Sequence, residues 1–245
     1  MNAAAVLCLA FPLLLAFPPR VAAQAALAPP PVHEAKVELA IVATNGNAET
    51  QSIGVAGELT LRLDSWVTTF NSGFVRNEAE GIVNAKSLRT MERVARSVRR
   101  RLEVFGQHAY LRDAFSGVEH RNSLDAGLSY RVLQDARHEL VADAGFGYLN
   151  EQRSAGNNLS TGLATAGMRY RLRISDTSQF TNDVLVSADV IEAGTWRVNQ
   201  AAAVTARVTM LVALKVSNVV RFVDDPVPGF ERVDSVTSAS LVVSF

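Results

Sequence analysis

The sequence predicts an all-β fold, a transmembrane antiparallel up-and-down β-barrel of roughly 12 strands. Three observations predict it. Apolar and polar residues alternate with a period of two over most of the chain, short and long connections follow each other in turn, and an apolar segment typical of exported proteins precedes the alternating region. We place the barrel at residues 37–245, since a chain of this length can form one barrel domain.

The first residues have the layout of a cleaved secretory signal. Residues 3–17 are an almost unbroken apolar run, and the small residues of Val21-Ala22-Ala23 follow it. The run is shorter than the roughly 20 residues that a membrane-spanning helix needs. We therefore predict a signal peptide over residues 1–23, with a retained membrane anchor as the alternative, and a proline-rich linker over residues 24–36.

Cysteine content and net charge exclude several classes of function. Cys8 is the only cysteine and lies inside the predicted signal, so disulfides and cysteine catalysis are excluded for the processed chain. Lys plus Arg and Asp plus Glu both number 24, so the whole chain is formally neutral. We expect no nucleic-acid partner and no cofactor.

Each predicted strand has one apolar and one polar face. In the last segment Leu241, Val243 and Phe245 share the apolar face, and Ser240 and Ser244 lie on the other. A period of two is typical of strands whose two faces meet different surroundings. The same alternation recurs along 37–41, 53–63, 66–74, 124–132, 140–148, 164–174, 180–186, 196–210 and 214–222.

Two segments follow the alternation poorly. Along 88–98 the charged residues fall in both registers, so an amphipathic basic helix is an alternative there. Along 102–111 the apolar register slips near Phe105, which predicts a β-bulge at Gly106. These two segments leave the number of strands open by about two.

The connections between strands favour a membrane setting. Short connections are predicted at 64–65, 99–100, 134–137, 175–177 and 211–213. Longer ones, rich in Gly, Asn, Asp and Pro, are predicted at 44–50, 77–84, 113–119, 150–158, 189–195 and 224–232. This order is typical of barrels with tight periplasmic turns and longer outer loops, and it places both termini in the periplasm. A soluble periplasmic β-protein is the alternative.

The polar faces of the strands are predicted to line the barrel interior. The predicted lumen residues are Glu58, Arg62, Asp125, Arg131, Glu139, Asp143, Arg169, Arg171, Arg173, Asp183, Arg197, Arg207, Lys215 and Arg221. Charges inside a barrel must pair with each other or meet water. Two interpretations follow: a packed network that plugs the interior, or a narrow, weakly selective pore in which Arg169, Arg171 and Arg173 favour anions.

Histidines are the first candidates for catalysis, because imidazole is the most common general base. His33 lies in the linker, His108 is predicted as a lumen or interface residue, His120 lies in a predicted outer loop, and His138 lies near a turn. The sequence shows no recognisable arrangement of these with Ser and Asp, and no spacing of metal ligands. We predict no enzyme and no metal site, with a barrel enzyme acting on envelope lipid as the alternative.

The end of the chain suggests how the protein reaches its membrane. Phe245 is the last residue, with Val243 and Leu241 two and four positions before it. This pattern resembles the sorting signal that outer-membrane barrels present to the barrel-assembly machinery. We therefore expect that machinery and outer-membrane lipid as partners; the sequence leaves the oligomeric state open.

The region 37–245 resembles a bacterial family described as salt-induced outer-membrane proteins, otherwise a domain of unknown function. Three stretches carry the resemblance: "VELAIVATNGNAETQSIGVAGEL", with Gly46-Asn47 before Thr50 and Ser52; "LDAGLSYRVL"; and "DDPVPGFERVDSVTSASLVVSF". The resemblance implies a β-barrel in the outer membrane of a Gram-negative cell. It implies no substrate.

Overall fold

The computed structural model describes residues 32–45, 50–79, 82–191 and 195–245. The predicted signal peptide, most of the predicted linker and the Gly46-Asn47 motif lie outside these residues. Twelve strands are present: β1 His33–Asn45, β2 Thr50–Leu63, β3 Trp66–Ala79, β4 Ile82–Arg99, β5 Leu102–Asp113, β6 Val118–Gln134, β7 His138–Arg153, β8 Leu159–Arg173, β9 Ser178–Asp189, β10 Trp196–Arg207, β11 Val212–Val223 and β12 Val233–Ser244. Within the described ranges, no helix has the length and apolarity that a bilayer crossing requires.

The strands form a closed antiparallel barrel in which each strand pairs with its neighbours in sequence and β1 pairs with β12. In the closing pair Val37 lies opposite Val243, and Leu39 lies opposite Leu241. The backbone N–H of Phe245 also donates to the carbonyl of Ala35 at 2.8 Å, so the ladder continues to the last residue. Closure leaves no unpaired strand edge. The predicted barrel of roughly 12 strands is confirmed.

Several strand boundaries differ from the predicted ones. Strand β1 begins at His33 rather than at residue 37, and the connection predicted at 211–213 lies at 208–211. Strand β5 extends to Asp113 and β7 to Arg153, into segments predicted as loops. Asp113 at the end of β5 and Arg153 at the end of β7 make ion pairs inside the barrel. Polar residues can therefore belong to the inner face of a strand, and they do not mark a loop here.

The two irregular segments are both strands. Residues 88–98 lie in β4, so the helix alternative is wrong. The bulge predicted at Gly106 is also wrong, because the register of β4 with β5 shifts between Ser97 and Arg99 instead. Phe105 points inward, and the guanidinium carbon of Arg93 lies 3.7 Å from the centre of its ring. This cation–π contact stabilises an aromatic residue on the polar face, where the alternation pattern does not predict one.

The outer face of the barrel is apolar and exposed, as a lipid-facing surface requires. We call the end with the connections 64–65, 100–101, 135–137, 174–177 and 208–211 the short-turn end, and the opposite end the long-loop end. Trp66 lies at the short-turn end beside Arg96, and Trp196 lies at the long-loop end against Phe222, with ring centres 4.6 Å apart. Tryptophans at both rims are typical of membrane–water interfaces.

One close approach of two strands sets a testable steric limit. Gly127 of β6 lies opposite Gly145 of β7, and a Cβ on Gly127 would lie 2.3 Å from the carbonyl oxygen of Ala144. We expect Gly127→Ala to reduce the free energy of unfolding by about 1–3 kcal/mol, because backbone atoms must move to accept the methyl group. Urea unfolding of the refolded barrel in detergent measures this. Gly106→Ala is the control, since a Cβ there meets nothing within 4 Å. Equal stability of the two variants would contradict the steric argument.

Candidate functional site in the barrel lumen

The inner face of the barrel carries a chain of ion pairs that runs from one end to the other. In the half near the short-turn end, the pairs mostly join neighbouring strands, and their side chains are partly exposed to the lumen. The pairs on β1, β2 and β11 are Lys36–Glu34 at 3.0 Å, Lys36–Glu58 at 2.9 Å, Arg62–Glu34 at 3.2 Å and Lys215–Glu38 at 2.8 Å. The pairs on β5 to β8 are Arg131–Glu103 at 3.3 Å, Arg131–Glu139 at 3.9 Å and Arg171–Glu139 at 3.0 Å. The guanidinium-bearing side chain of Arg171 is 60% exposed, so this half holds solvent.

In the middle part of the lumen, several side chains share one acceptor, the carboxylate of Asp143. Its carboxylate accepts hydrogen bonds from Nε of Arg169 at 2.9 Å, from Nη2 of Arg93 at 3.4 Å and from the hydroxyl of Ser129. Arg93 lies on β4 and Asp143 on β7, so this pair already bridges strands that do not pair with each other. Side chains in the middle of the lumen therefore connect strands that are three positions apart in the barrel.

At the long-loop end one ion pair crosses the whole barrel. Arg221 of β11 and Asp113 of β5 lie on opposite sides of the strand order, yet their Nη1 and Oδ2 atoms are 2.8 Å apart. Glu151 on β7 is 1% exposed and binds Arg121 of β6 and Arg153 of its own strand. Side chains from opposite walls therefore meet here and fill the lumen.

The loop between β11 and β12, residues 224–232, covers this closed end. Its Val227 is only 3% exposed and lines a cavity together with the luminal Arg121 and Arg197. Asp225 accepts a hydrogen bond from Arg153 at 3.4 Å. The Phe230 ring packs against Gly117 in the β5–β6 turn, where a Cβ would lie 2.4 Å from the ring. Gly117 has a φ of +70°, so the same position favours glycine for two reasons.

Buried apolar residues complete the closure. Val118, Leu149 and Leu163 are nearly inaccessible although they belong to strands whose outer faces are exposed. They lie at the long-loop ends of β6, β7 and β8, next to the ion pairs of Glu151. The long-loop end of the barrel is thus packed like a protein core, whereas the short-turn half is not.

Arg197 is the exception in this packed region. Its side chain is 4% exposed, and none of the guanidinium nitrogens has a hydrogen-bond partner among the described residues. The charges nearest to it are Arg121, Glu151, Arg153 and Asp189.

The predicted lumen residues lie at strand positions that alternate with the exposed apolar ones. Of the predicted lumen residues, the following take part in ion pairs: Glu58, Arg62, Arg131, Glu139, Asp143, Arg169, Arg171, Lys215 and Arg221. Asp183 lies near Arg169, and Asp125 lies against Gly147. Arg173 and Arg207 lie at the short-turn end, where Arg207 donates to the carbonyl of Asp176 at 2.7 Å.

Sequence reasoning missed several charged residues of the lumen. They are Glu34, Lys36, Glu38, Arg93, Glu103, Asp113, Arg121, Glu151 and Arg153. For Glu151 and Arg153 a signal existed, because both continue the odd-numbered polar register of Glu139 and Asp143. Treating 150–158 as a loop ended that register too early.

The histidines on the strands lie on the outer face. His108 was predicted as a lumen or interface residue, but because Phe105 points inward, His108 points outward, with Nε2 3.4 Å from Oδ1 of Asn122. His120 lies in β6 rather than in a loop and is hydrogen bonded to the hydroxyl of Tyr110 at 2.7 Å. His138 is hydrogen bonded to the hydroxyl of Tyr170 at 2.8 Å. In the part of the chain that the structure describes, no group of His, Cys, Asp and Glu has the arrangement of a metal site.

Comparison with solved structures shows the same fold. The NanC porin superposes with a TM-score of 0.57 at 10% sequence identity, over 84% of this chain and 98% of that chain. The translocator domain of the autotransporter NalP from Neisseria meningitidis superposes with a TM-score of 0.52 at 12% identity, over 89% of each chain. No curated protein matches the sequence.

The comparison with family models covers nearly the whole barrel. The family described as "Protein of unknown function, DUF481" matches residues 37–245. These residues include all three stretches that carry the resemblance to an outer-membrane family of unknown function. The chain belongs to the DUF481 family.

Proposed function

We propose that this protein is an outer-membrane channel for small solutes, with a solvated vestibule at the short-turn end and a closed or very narrow passage at the long-loop end. The porin-like fold and the charged inner face support a channel. The observation that carries the proposal is the Arg221–Asp113 ion pair, because it joins opposite walls and so obstructs the lumen at that level.

The charges of the vestibule and of the middle of the lumen suggest a weak preference for anions. Arg171 and Arg169 extend into the lumen with 60% and 42% of their side chains exposed. Carboxylates pair with each of them, so the field on a passing ion is small and sensitive to salt. A weakly selective pore follows, rather than one dedicated to a single strongly charged solute.

The location is part of the same proposal. A signal peptide over residues 1–23 would export the chain, and Leu241, Val243 and Phe245 would present it to the barrel-assembly machinery of a Gram-negative cell. Both ends of the barrel sequence lie at the short-turn end, which we therefore place in the periplasm. The long-loop end would face the exterior, so the closure would control entry from outside.

Planar-bilayer conductance tests the channel. We expect low conductance from the wild-type barrel and at least a several-fold increase from the double variant Asp113→Ser with Arg221→Ser, because it removes the cross-barrel pair without leaving one charge unpaired. Replacing residues 224–231 with Asn-Gly, which suits a two-residue hairpin, should also raise conductance. Heat-modifiable migration in detergent shows that each variant is folded.

The matched control is Lys36→Ser with Glu58→Ser, which removes a pair between neighbouring strands in the vestibule. We expect its conductance to stay within about twofold of the wild type, since a pair between neighbouring strands does not join opposite walls. If neither the wild type nor the two opening variants conducted measurably, the protein would be a plugged structural barrel and the channel proposal would fail. A wild type that conducted as well as the opening variants would refute the closure.

A further inference from the structure

The side chain of Arg197 is a buried cation whose guanidinium group has no hydrogen-bond partner among the described residues. Nε, Nη1 and Nη2 all lie out of contact with solvent, and none of them has an acceptor among the described residues. A guanidinium group carries five N–H donors and stays charged in proteins. Burying such a group without acceptors is strongly unfavourable. A hydrogen-bond acceptor beside the Arg197 guanidinium group would remove this penalty.

The carboxylates around Arg197 already serve other groups. Glu151 binds both Arg121 and Arg153. Asp189 accepts the hydroxyl of Thr161 at 2.6 Å and the backbone N–H of Ile191 at 2.7 Å. Asp113, further across the lumen, binds Arg221. Among the described residues, none of these carboxylates accepts a hydrogen bond from a guanidinium nitrogen of Arg197.

A second arginine donor and a small cavity lie next to Arg197. Nε of Arg221 is also buried without a hydrogen-bond partner among the described residues. Arg121, Arg197, Arg221 and Asn199 line one cavity of about 40 Å³ under the β11–β12 loop. That space is enough for a few water molecules or one small anion. Glu151, Asp225, Glu231 and Asp234 also line it; Glu151 is paired with Arg121 and Arg153, and Asp225 is paired with Arg153.

We propose that this cavity binds one small oxyanion, of the size of phosphate, held by the guanidinium groups of Arg197 and Arg221. Guanidinium forks match the oxygens of phosphate or carboxylate in two-point hydrogen bonds. The site lies beside the cross-barrel pair of Arg221 with Asp113. Binding of an oxyanion is independent of conduction, because it requires only the folded barrel.

Isothermal titration of the detergent-folded barrel with inorganic phosphate tests the site, in a buffer free of other oxyanions. We expect saturable binding of one phosphate, and the same titration with chloride at equal ionic strength should show none. Arg197→Gln should weaken phosphate binding at least about tenfold, because charge-assisted hydrogen bonds are lost. Arg197→Lys keeps the charge but not the fork, and should weaken binding by a smaller factor.

The control is Arg137→Gln, which removes one positive charge from an exposed turn at the short-turn end and should leave phosphate affinity within about twofold. A wild type that binds no phosphate, phosphate binding that chloride reproduces, or an equal loss of affinity in Arg137→Gln would each overturn the proposal. Because binding is measured in solution, a barrel that binds phosphate without conducting would refute the channel and keep the site.

Discussion

Replacing Glu151 with glutamine is expected to destabilise the barrel more than any comparable change in the vestibule. Glu151 is 1% exposed and its carboxylate binds Arg121 and Arg153. Removing the negative charge leaves these two arginines and the neighbouring Arg197 without their shared counter-charge. Removing one partner of a buried ion pair costs about 3–5 kcal/mol, and we expect a loss in that range for Glu151→Gln.

The measurement is equilibrium unfolding in urea, followed by the fluorescence of Trp66 and Trp196. Trp196 lies at the long-loop end, at the level of the affected pairs, and Trp66 reports the opposite rim. Glu58→Gln is the matched control, since the Glu58 side chain is 40% exposed and pairs with Lys36 in the vestibule. We expect that control to lose less than about 1 kcal/mol, as for other solvated ion pairs. Similar losses in both variants would show that the long-loop end is as solvated as the vestibule.

Replacing Phe245 with alanine is expected to impair assembly in cells more than it destabilises the folded barrel. The ring is 71% exposed at the short-turn end, whereas the backbone of Phe245 pairs with Ala35 and is kept in the variant. The ring therefore contributes little to packing within the chain. If it serves as the terminal part of an assembly signal with Leu241 and Val243, its loss acts on insertion and leaves the inserted state nearly unchanged.

Phe146→Ala is the matched control for Phe245→Ala. Phe146 is equally exposed, at 73%, but lies in the middle of β7, where lipid contact is deepest. We expect Phe146→Ala to lose more stability after refolding in vitro, since lipid-facing side chains contribute most near the bilayer midplane. In cells, Phe245→Ala should reduce the folded fraction in the outer membrane about tenfold, and Phe146→Ala should not. Equal folded fractions in cells would make Phe245 an ordinary lipid-facing residue.

In β4 and β5 the alternation of polar and apolar residues does not predict which side chains point inward. The alternation rule assumes that every inward position is polar, and Phe105 breaks it because the Arg93 guanidinium covers its ring. Leu111 is also buried next to the long-loop end. Both residues are apolar positions on a polar face, and a slip of one residue moves His108 to the wrong side. Contacts from a different strand decided the register here.

For the candidate site, too, the sequence predicts one part and the tertiary structure decides the other. Arg197 and Arg221 were assigned to the lumen because each lies in the polar register of its strand. That Arg221 reaches Asp113 on the opposite wall, and that Arg197 is buried without a partner among the described residues, depends on how far apart the walls are. The barrel radius depends on strand number and stagger together, and a pattern within one strand carries information on neither.

The sequence by itself determined that the chain forms strands with one lipid-facing and one lumen-facing side, that there are about twelve of them, and that the segment up to Phe245 belongs to one of them. The physical reason is that lipid on one side imposes a period of two on every strand that crosses it. Only the tertiary structure decided that the lumen is solvated near the short turns and closed beneath residues 224–232. Closure arises from contacts between residues such as Arg153 and Asp225, which are far apart in the chain and meet only when the barrel has formed.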